Sequence, residues 1–166
     1  FAVMGEVFAR TVLGLDKPSI GLLNVGSEQR KGHDSVRRAR DILRHSHLPI
    51  RFHGFVEGDD IAAGTVDVIV TDGFSGNIAL KTAEGIVHLY TNYLKKAYRA
   101  TLVSRLGYLL SRGALQRLKS RLDPRIYNGA MLLGLNGIVV KSHGGTDAVG
   151  FANAVGVAVD MINNDF

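Results

Sequence analysis

The chain has 166 residues, 46% of them apolar, no cysteine and a net charge of +5. That length and apolar content suit one domain with a real core. The missing thiols exclude disulfides, thiolate-bound zinc and a cysteine acyl intermediate, and they suit a reducing cytoplasm. No apolar run approaches the roughly 18–20 residues that span a bilayer. The opening FAVMGEVFAR has neither a basic leader nor a small-residue cleavage pattern, and it lacks a starting Met. The expectation is a segment of a longer protein with no secretory signal.

The charge is concentrated. Residues 90 to 127 hold nine basic side chains and one acid, Asp123, so this stretch carries +8 and the remainder carries −3. A nucleic-acid-binding domain of such basicity would spread a cationic face over its fold, so no nucleic-acid partner is expected.

In chain order, Phe1, Met4, Phe8 and Val12 recur at helical spacing. Residues 20–25 (IGLLNV) then read as a strand buried on both faces, as in a parallel sheet. The motif LLNVGSEQRKG over 22–32 places a glycine turn at the end of that strand. Asn24, Ser27, Glu28 and Lys31 could face a ligand crevice there, or Ser27 could simply cap the following helix. Residues 34–46 read as an amphipathic helix with Val36, Ala39, Ile42 and Leu43 on one side, and 51–56 as a weaker strand. Asp59 and Asp60 read as a polar loop.

Residues 66–71 (VDVIVT) form a second buried-strand pattern that runs into Asp72-Gly73-Phe74-Ser75-Gly76-Asn77, with a helix beginning near Ser75. Free N–H groups and the helix dipole at such a junction favour an anion, and Gly73 and Gly76 permit close approach. Lys81 stands at i+4 from Asn77 and shares its direction. The bland alternative is a tight turn capped by Ser75.

The basic stretch, about 90–127, is expected to form a helical hairpin. Leu102, Leu106, Leu109 and Leu110 make one stripe, a turn falls at 111–113, Leu115, Leu118 and Leu122 make a second stripe, and Pro124 closes it. With Arg105, Arg112 and Arg117 alongside, the hairpin suits an anionic membrane surface or a dimerisation arm.

Residues 137–141 read as a third strand leading into Lys141-Ser142-His143-Gly144-Gly145, then a helix from Thr146 to about Ile162. Lys141, Ser142 and His143 could hold phosphate or an oxyanion. A Ser142–His143 nucleophile pair is disfavoured because neighbours on an extended segment point oppositely. The three strand-end loops are expected to open on one sheet edge. His45 and His47 have no carboxylate near in sequence, so no metal site is expected.

The stretches GLLNVGSEQRKG, VDVIVTDGFSGNIALKTAEG and LLGLNGIVVKSHGGTDAVGFANA resemble the phosphate acyltransferases of bacterial phospholipid synthesis, the PlsX family. The resemblance runs in order along essentially the whole chain, basic hairpin included, and identifies it as the C-terminal half of such an enzyme. It implies a layered α/β/α fold with a mainly parallel sheet, like isopropylmalate dehydrogenases and phosphate acetyltransferases. The chain would then be one α/β domain, 1–166, with the hairpin inserted at about 90–127.

The resemblance further implies formation of acyl phosphate from fatty acyl carrier protein and inorganic phosphate, in a crevice whose other wall lies in the N-terminal half. No cofactor or metal is needed, and the enzyme is expected to be a cytoplasmic homodimer in peripheral contact with the membrane. On chemical grounds Lys81, Lys141, Ser142 and His143 are the candidate catalytic residues. Asn24, Ser27, Asp72, Gly73, Ser75, Gly76, Asn77 and Asn136 are the candidate phosphate or substrate contacts. Two alternatives stay open: a short-chain phosphate acetyltransferase using coenzyme A, and a non-catalytic membrane or partner-binding scaffold.

Overall fold

The computed structural model describes residues 1–164 and shows an α/β chain. It divides into two compact units. The first comprises Phe1–Gly73, Met131–Val140 and residues from Gly156 onward, and the second Phe74–Ala130 and Lys141–Val155.

The first unit is built on a parallel sheet of three strands: β1 (Ser19–Leu23) at the centre, β2 (Arg51–Val56) on one side and β3 (Val68–Val70) on the other. Leu23 pairs with Val56, and Leu22 pairs with Val70. The unbroken apolar run of β1 is explained by its position, because a strand with two neighbours and covered faces has no solvent side. Ile20 is 0% exposed, Val56 is equally buried, and Met161 completes the core from helix α6 (Ala148–Asn163).

Packing here relies on missing side chains. A Cβ on Gly21 would lie 2.7 Å from Val56 Cγ1, and one on Gly5 would lie 2.7 Å from Val68 Cγ1. Gly5 belongs to α1 (Ala2–Thr11), which therefore rests directly on β3. Helix α2 (Asp34–His45) packs on β2, half-burying Val36, Ala39 and Leu43 but leaving Ile42 exposed. The start of β1 is fixed by Asp67, whose carboxylate accepts from Ser19 N–H at 2.7 Å and from Ser19 Oγ at 2.6 Å.

Asp59 and Asp60 lie in a short helix, α3 (Gly58–Ala63), rather than a loop. Glu57 and Asp60 form a reciprocal capping box, in which each carboxylate accepts from the other's backbone N–H.

In the second unit, α4 (Gly73–Arg99) begins three residues after β3 ends, so Ser75 lies inside its first turn and not at its cap. Helix α5 (Leu102–Arg121) runs without a break through residues 111–113, so the hairpin turn expected there is absent. Ser111 Oγ donates to Gly107 O at 2.7 Å, so its hydroxyl is satisfied within the helix, and an isolated Gly113 costs only about 1 kcal/mol. The break between the helices lies instead at Ala100–Thr101, where Thr101 Oγ1 accepts from Ser104 N–H at 3.0 Å and caps α5. Near this break Tyr98 meets Tyr108 edge-to-face at 5.5 Å. Neither helix contains a buried residue. A single 3-10 turn, Pro124–Tyr127, follows α5.

The third expected strand is only partly formed. Val140–Lys141 (β5) pairs with Ala130–Met131 (β4) in a separate two-stranded sheet. Leu132 N–H donates to Val139 O at 2.9 Å, and Gly134 at φ +84° helps turn the chain between the two. Closing that short loop costs little entropy, so the segment pairs with its near neighbour and does not join the parallel sheet.

The central strand should dominate stability. Ile20→Ala is expected to lower the unfolding free energy by about 2–5 kcal/mol, whereas Ile42→Ala should change it by less than about 1 kcal/mol, both measured by urea denaturation.

Candidate functional site

Parallel strands place their carboxyl ends on one edge, so the loop after β1 and the Thr71–Gly73 stretch after β3 leave neighbouring strands side by side. The loop over 24–32 is tightly organised. Asn24 is 8% exposed, and its Nδ2 donates to Gly26 O at 3.0 Å and to Lys31 O at 3.1 Å. Arg37 and Arg40 of α2 donate to the carbonyls of Arg30 and Gln29, both at 3.0 Å. Gly32 sits at φ +84°, and a Cβ there would lie 1.9 Å from Asn24 Oδ1.

Asn24 is therefore a brace that holds the loop shut, and its amide is committed to the loop's own backbone. Ser27 does not cap α2, whose N-cap is His33; its N–H donates to Glu57 Oε1 at 2.9 Å, tying this loop to the end of β2. Ser27, Glu28 and Lys31 are exposed at the edge.

Asp72 and Gly73 are also exposed, in the stretch where β3 gives way to α4. Ser75, Gly76 and Asn77 occupy the first turns of α4, and exposed Lys81 follows one turn later. The helix N-terminus supplies the positive end of its dipole to this stretch.

The third loop belongs to the second unit, and the strand that leads into it, β5, is not a member of the parallel sheet. Its organiser is Asn128, 8% exposed, in the segment between the 3-10 turn and β4. Asn128 Nδ2 donates to Ser142 Oγ at 2.9 Å and to Gly150 O at 2.7 Å, and Asn128 Oδ1 accepts from His143 N–H at 2.8 Å. His143 Nδ1 accepts from Gly145 N–H at 3.2 Å.

Asp147, and not Thr146, caps α6, its Oδ1 accepting from Gly150 N–H at 3.1 Å. Arg125 joins Asp123 to Asp147, at 2.6 Å and 3.0 Å. Asn128 thus holds the Ser142 hydroxyl and the His143 backbone N–H, while the His143 ring is held by Gly145 N–H. Lys141 is exposed in β5, and Asn136 is exposed in the turn before it, in the first unit. Asn128 was not among the residues singled out from sequence. Its one signal was the dipeptide Asn128-Gly129, which marks a special turn.

A family model described as "Fatty acid synthesis protein" matches residues 1–166. The chain belongs to the fatty acid synthesis protein family. It is 67% identical to a "Phosphate acyltransferase" of Paramagnetospirillum magneticum over 166 residues, all of this chain and 47% of that protein. It is 64% identical to one of Rhodospirillum rubrum, covering 48% of it, and 58% identical over 164 residues to one of Gluconobacter oxydans, covering 44%. The chain spans about half the length of the curated relatives it matches.

Among the described residues no three His, Asp or Glu side chains gather as a metal would require, and no helix is long and apolar enough to cross a membrane. Hydrogen bonds from Arg125 hold the Asp123 carboxyl down to about 2. The Gly150 N–H, and then Arg125, lower that of Asp147.

Both carboxylates favour the folded state when ionised. Their contribution is complete above about pH 4 and is lost on acidification below it, for Asp123 as pH falls through about 2. Arg125→Met should raise the titration midpoints of Asp123 and Asp147, read by carboxyl carbon NMR, and flatten the dependence of stability on pH within that window.

Proposed function

We propose that the complete protein makes acyl phosphate from a fatty acyl thioester on acyl carrier protein and inorganic phosphate, feeding phospholipid synthesis. The observation that carries this reading is the match, over this chain's whole length, to relatives named phosphate acyltransferase. A phosphate oxygen attacks the thioester carbonyl, an oxyanion forms and collapses, the C–S bond breaks, and the carrier thiolate leaves and takes a proton. Because phosphate is itself the nucleophile, the protein's task is positioning and charge stabilisation, which a chain without cysteine can perform.

In this reading Asp72, Gly73, Ser75, Gly76 and Asn77 at the start of α4 hold phosphate, with Lys81 as its cationic partner. Lys141, Ser142 and His143 serve the oxyanion. Ser27 and Asn136 remain candidates for substrate contact. Asn24 acts indirectly, by shaping the 24–32 loop.

Incubation of the complete protein with acyl carrier protein and phosphate, followed by hydroxylamine, should give acyl hydroxamate. Product from acetyl-coenzyme A alone would overturn the reading. Lys81→Met should lower kcat/KM for phosphate by about tenfold or more, the loss of one charge-assisted hydrogen bond of roughly 1.5–3 kcal/mol.

The exposed helices α4 and α5 support a second role for the basic hairpin. Leu102, Leu106, Leu109 and Leu110 face solvent, Leu110 being 81% exposed, on a helix that also carries Arg105, Arg112 and Arg117. The hairpin is proposed to pair the protein as a homodimer and to present basic side chains to an anionic membrane surface. Reversing Arg105, Arg112 and Arg117 should weaken sedimentation with phosphatidylglycerol vesicles by about 1 kcal/mol per residue, and Leu109→Glu with Leu110→Glu should weaken it further or break the dimer. Unchanged sedimentation and dimerisation in both variants would refute this role.

A further inference from the structure

We infer that Asn128 is a positioning residue that leaves the Ser142 hydroxyl free to donate to an oxyanion, in a loop where the neutral His143 ring carries its proton on Nε2. The inference rests on the acyl-transfer reading for its substrate and on the hydrogen bonds alone for its geometry.

The orientation of the Asn128 carboxamide is fixed by its partners. Oδ1 faces the backbone N–H of His143, which can only donate, and Nδ2 faces the carbonyl of Gly150, which can only accept. Nδ2 must therefore donate to Ser142 Oγ as well. A hydroxyl that accepts from Asn128 keeps its own proton to give elsewhere.

The same logic sets the histidine. Gly145 N–H can only donate, so His143 Nδ1 must accept and cannot carry a proton while that bond exists. In the neutral ring the proton is then on Nε2. A residue wired in this way is suited to donate to developing negative charge, and unsuited to remove a proton through Nδ1. Asn128 lies outside the single motif, beginning at Leu132, that supplies these groups. Its side chain is buried, and all three of its bonds go to the loop or to the start of α6.

The test uses the complete protein with histidine rings labelled with nitrogen-15, the His143 signals being identified by their loss in His143→Gln. The expected spectrum shows His143 as the Nε2–H tautomer. An Nδ1–H tautomer in the wild type would overturn the inference without any reference to turnover. Lack of hydroxamate from the wild type would instead count against the acyl-transfer reading.

Asn128→Ala should disturb the tautomer balance and lower kcat by about 100-fold, with KM for phosphate moving much less, as expected for misplaced donors. Asn128→Asp is the second variant; it keeps the acceptor for His143 N–H but loses the donor to Gly150 O, so an unchanged far-UV circular dichroism spectrum and cooperative melt are required of it. Its carboxylate still accepts from His143 N–H, preserving the tautomer, but draws the Ser142 proton inward. Asn128→Asp and Ser142→Ala should then give similar losses that do not multiply in the double variant. Multiplying losses, or near-normal kinetics in both Asn128 variants, would return Asn128 to a purely structural role.

Discussion

The first unit depends on the position of β1 between two parallel neighbours. β1 has no free edge, and its consecutive buried residues Ile20, Gly21 and Leu22 show that both of its faces are covered; Ile20 pairs with Phe52 of β2 and Val68 of β3. Parallel pairing also decides where loops emerge. The polar segments after β1, β2 and β3 leave by the same edge, and Glu57 at the end of β2 reaches the Ser27 N–H beside it. The Asp67–Ser19 bonds at the opposite end hold the register from which this follows.

Elements whose cause is local were legible in the sequence. The runs at 20–25 and 66–71 and the amphipathic pattern of α2 correspond to β1, β3 and α2 within a few residues. Elements decided by competition were not. A serine and a glycine near 112 suggest a turn only if the serine does not bond back into its own helix, and Ser111 does so. The true break is marked by Thr101, an N-cap signal three residues before Ser104, but an unbroken run of helix-forming residues on both sides hides it. The strand pattern at 137–141 is real, but sequence does not say which partner a strand will choose, and the nearer partner won.

The candidate site was legible as a set of loops but not as a division of labour within them. Asn24 and Asn128 are the same residue type, both 8% exposed, and both spend their amide on braces. Composition and spacing single out Asn24 because it ends a strand. They pass over Asn128 because no regular element announces it. Its importance follows from the fact that backbone groups far apart in sequence, at 143 and 150, converge on one carboxamide. Such convergence is a tertiary property that no window of sequence contains.

The brace at Asn128 also has a chemical lifetime. An asparagine followed by glycine is the arrangement in which the next backbone nitrogen most easily attacks the side-chain carbonyl, closes a succinimide and expels ammonia. Asn128-Gly129 and Asn136-Gly137 both have this sequence. Asn136 is exposed in a turn, whereas the carboxamide of Asn128 is buried and clamped by three partners. Folding thus slows ageing at the position where the product, an aspartate, would lose the donor to Gly150 O and set a carboxylate against that carbonyl. Each local opening of this corner exposes the amide to an irreversible step, so the working age of the protein is tied to how rarely that corner opens.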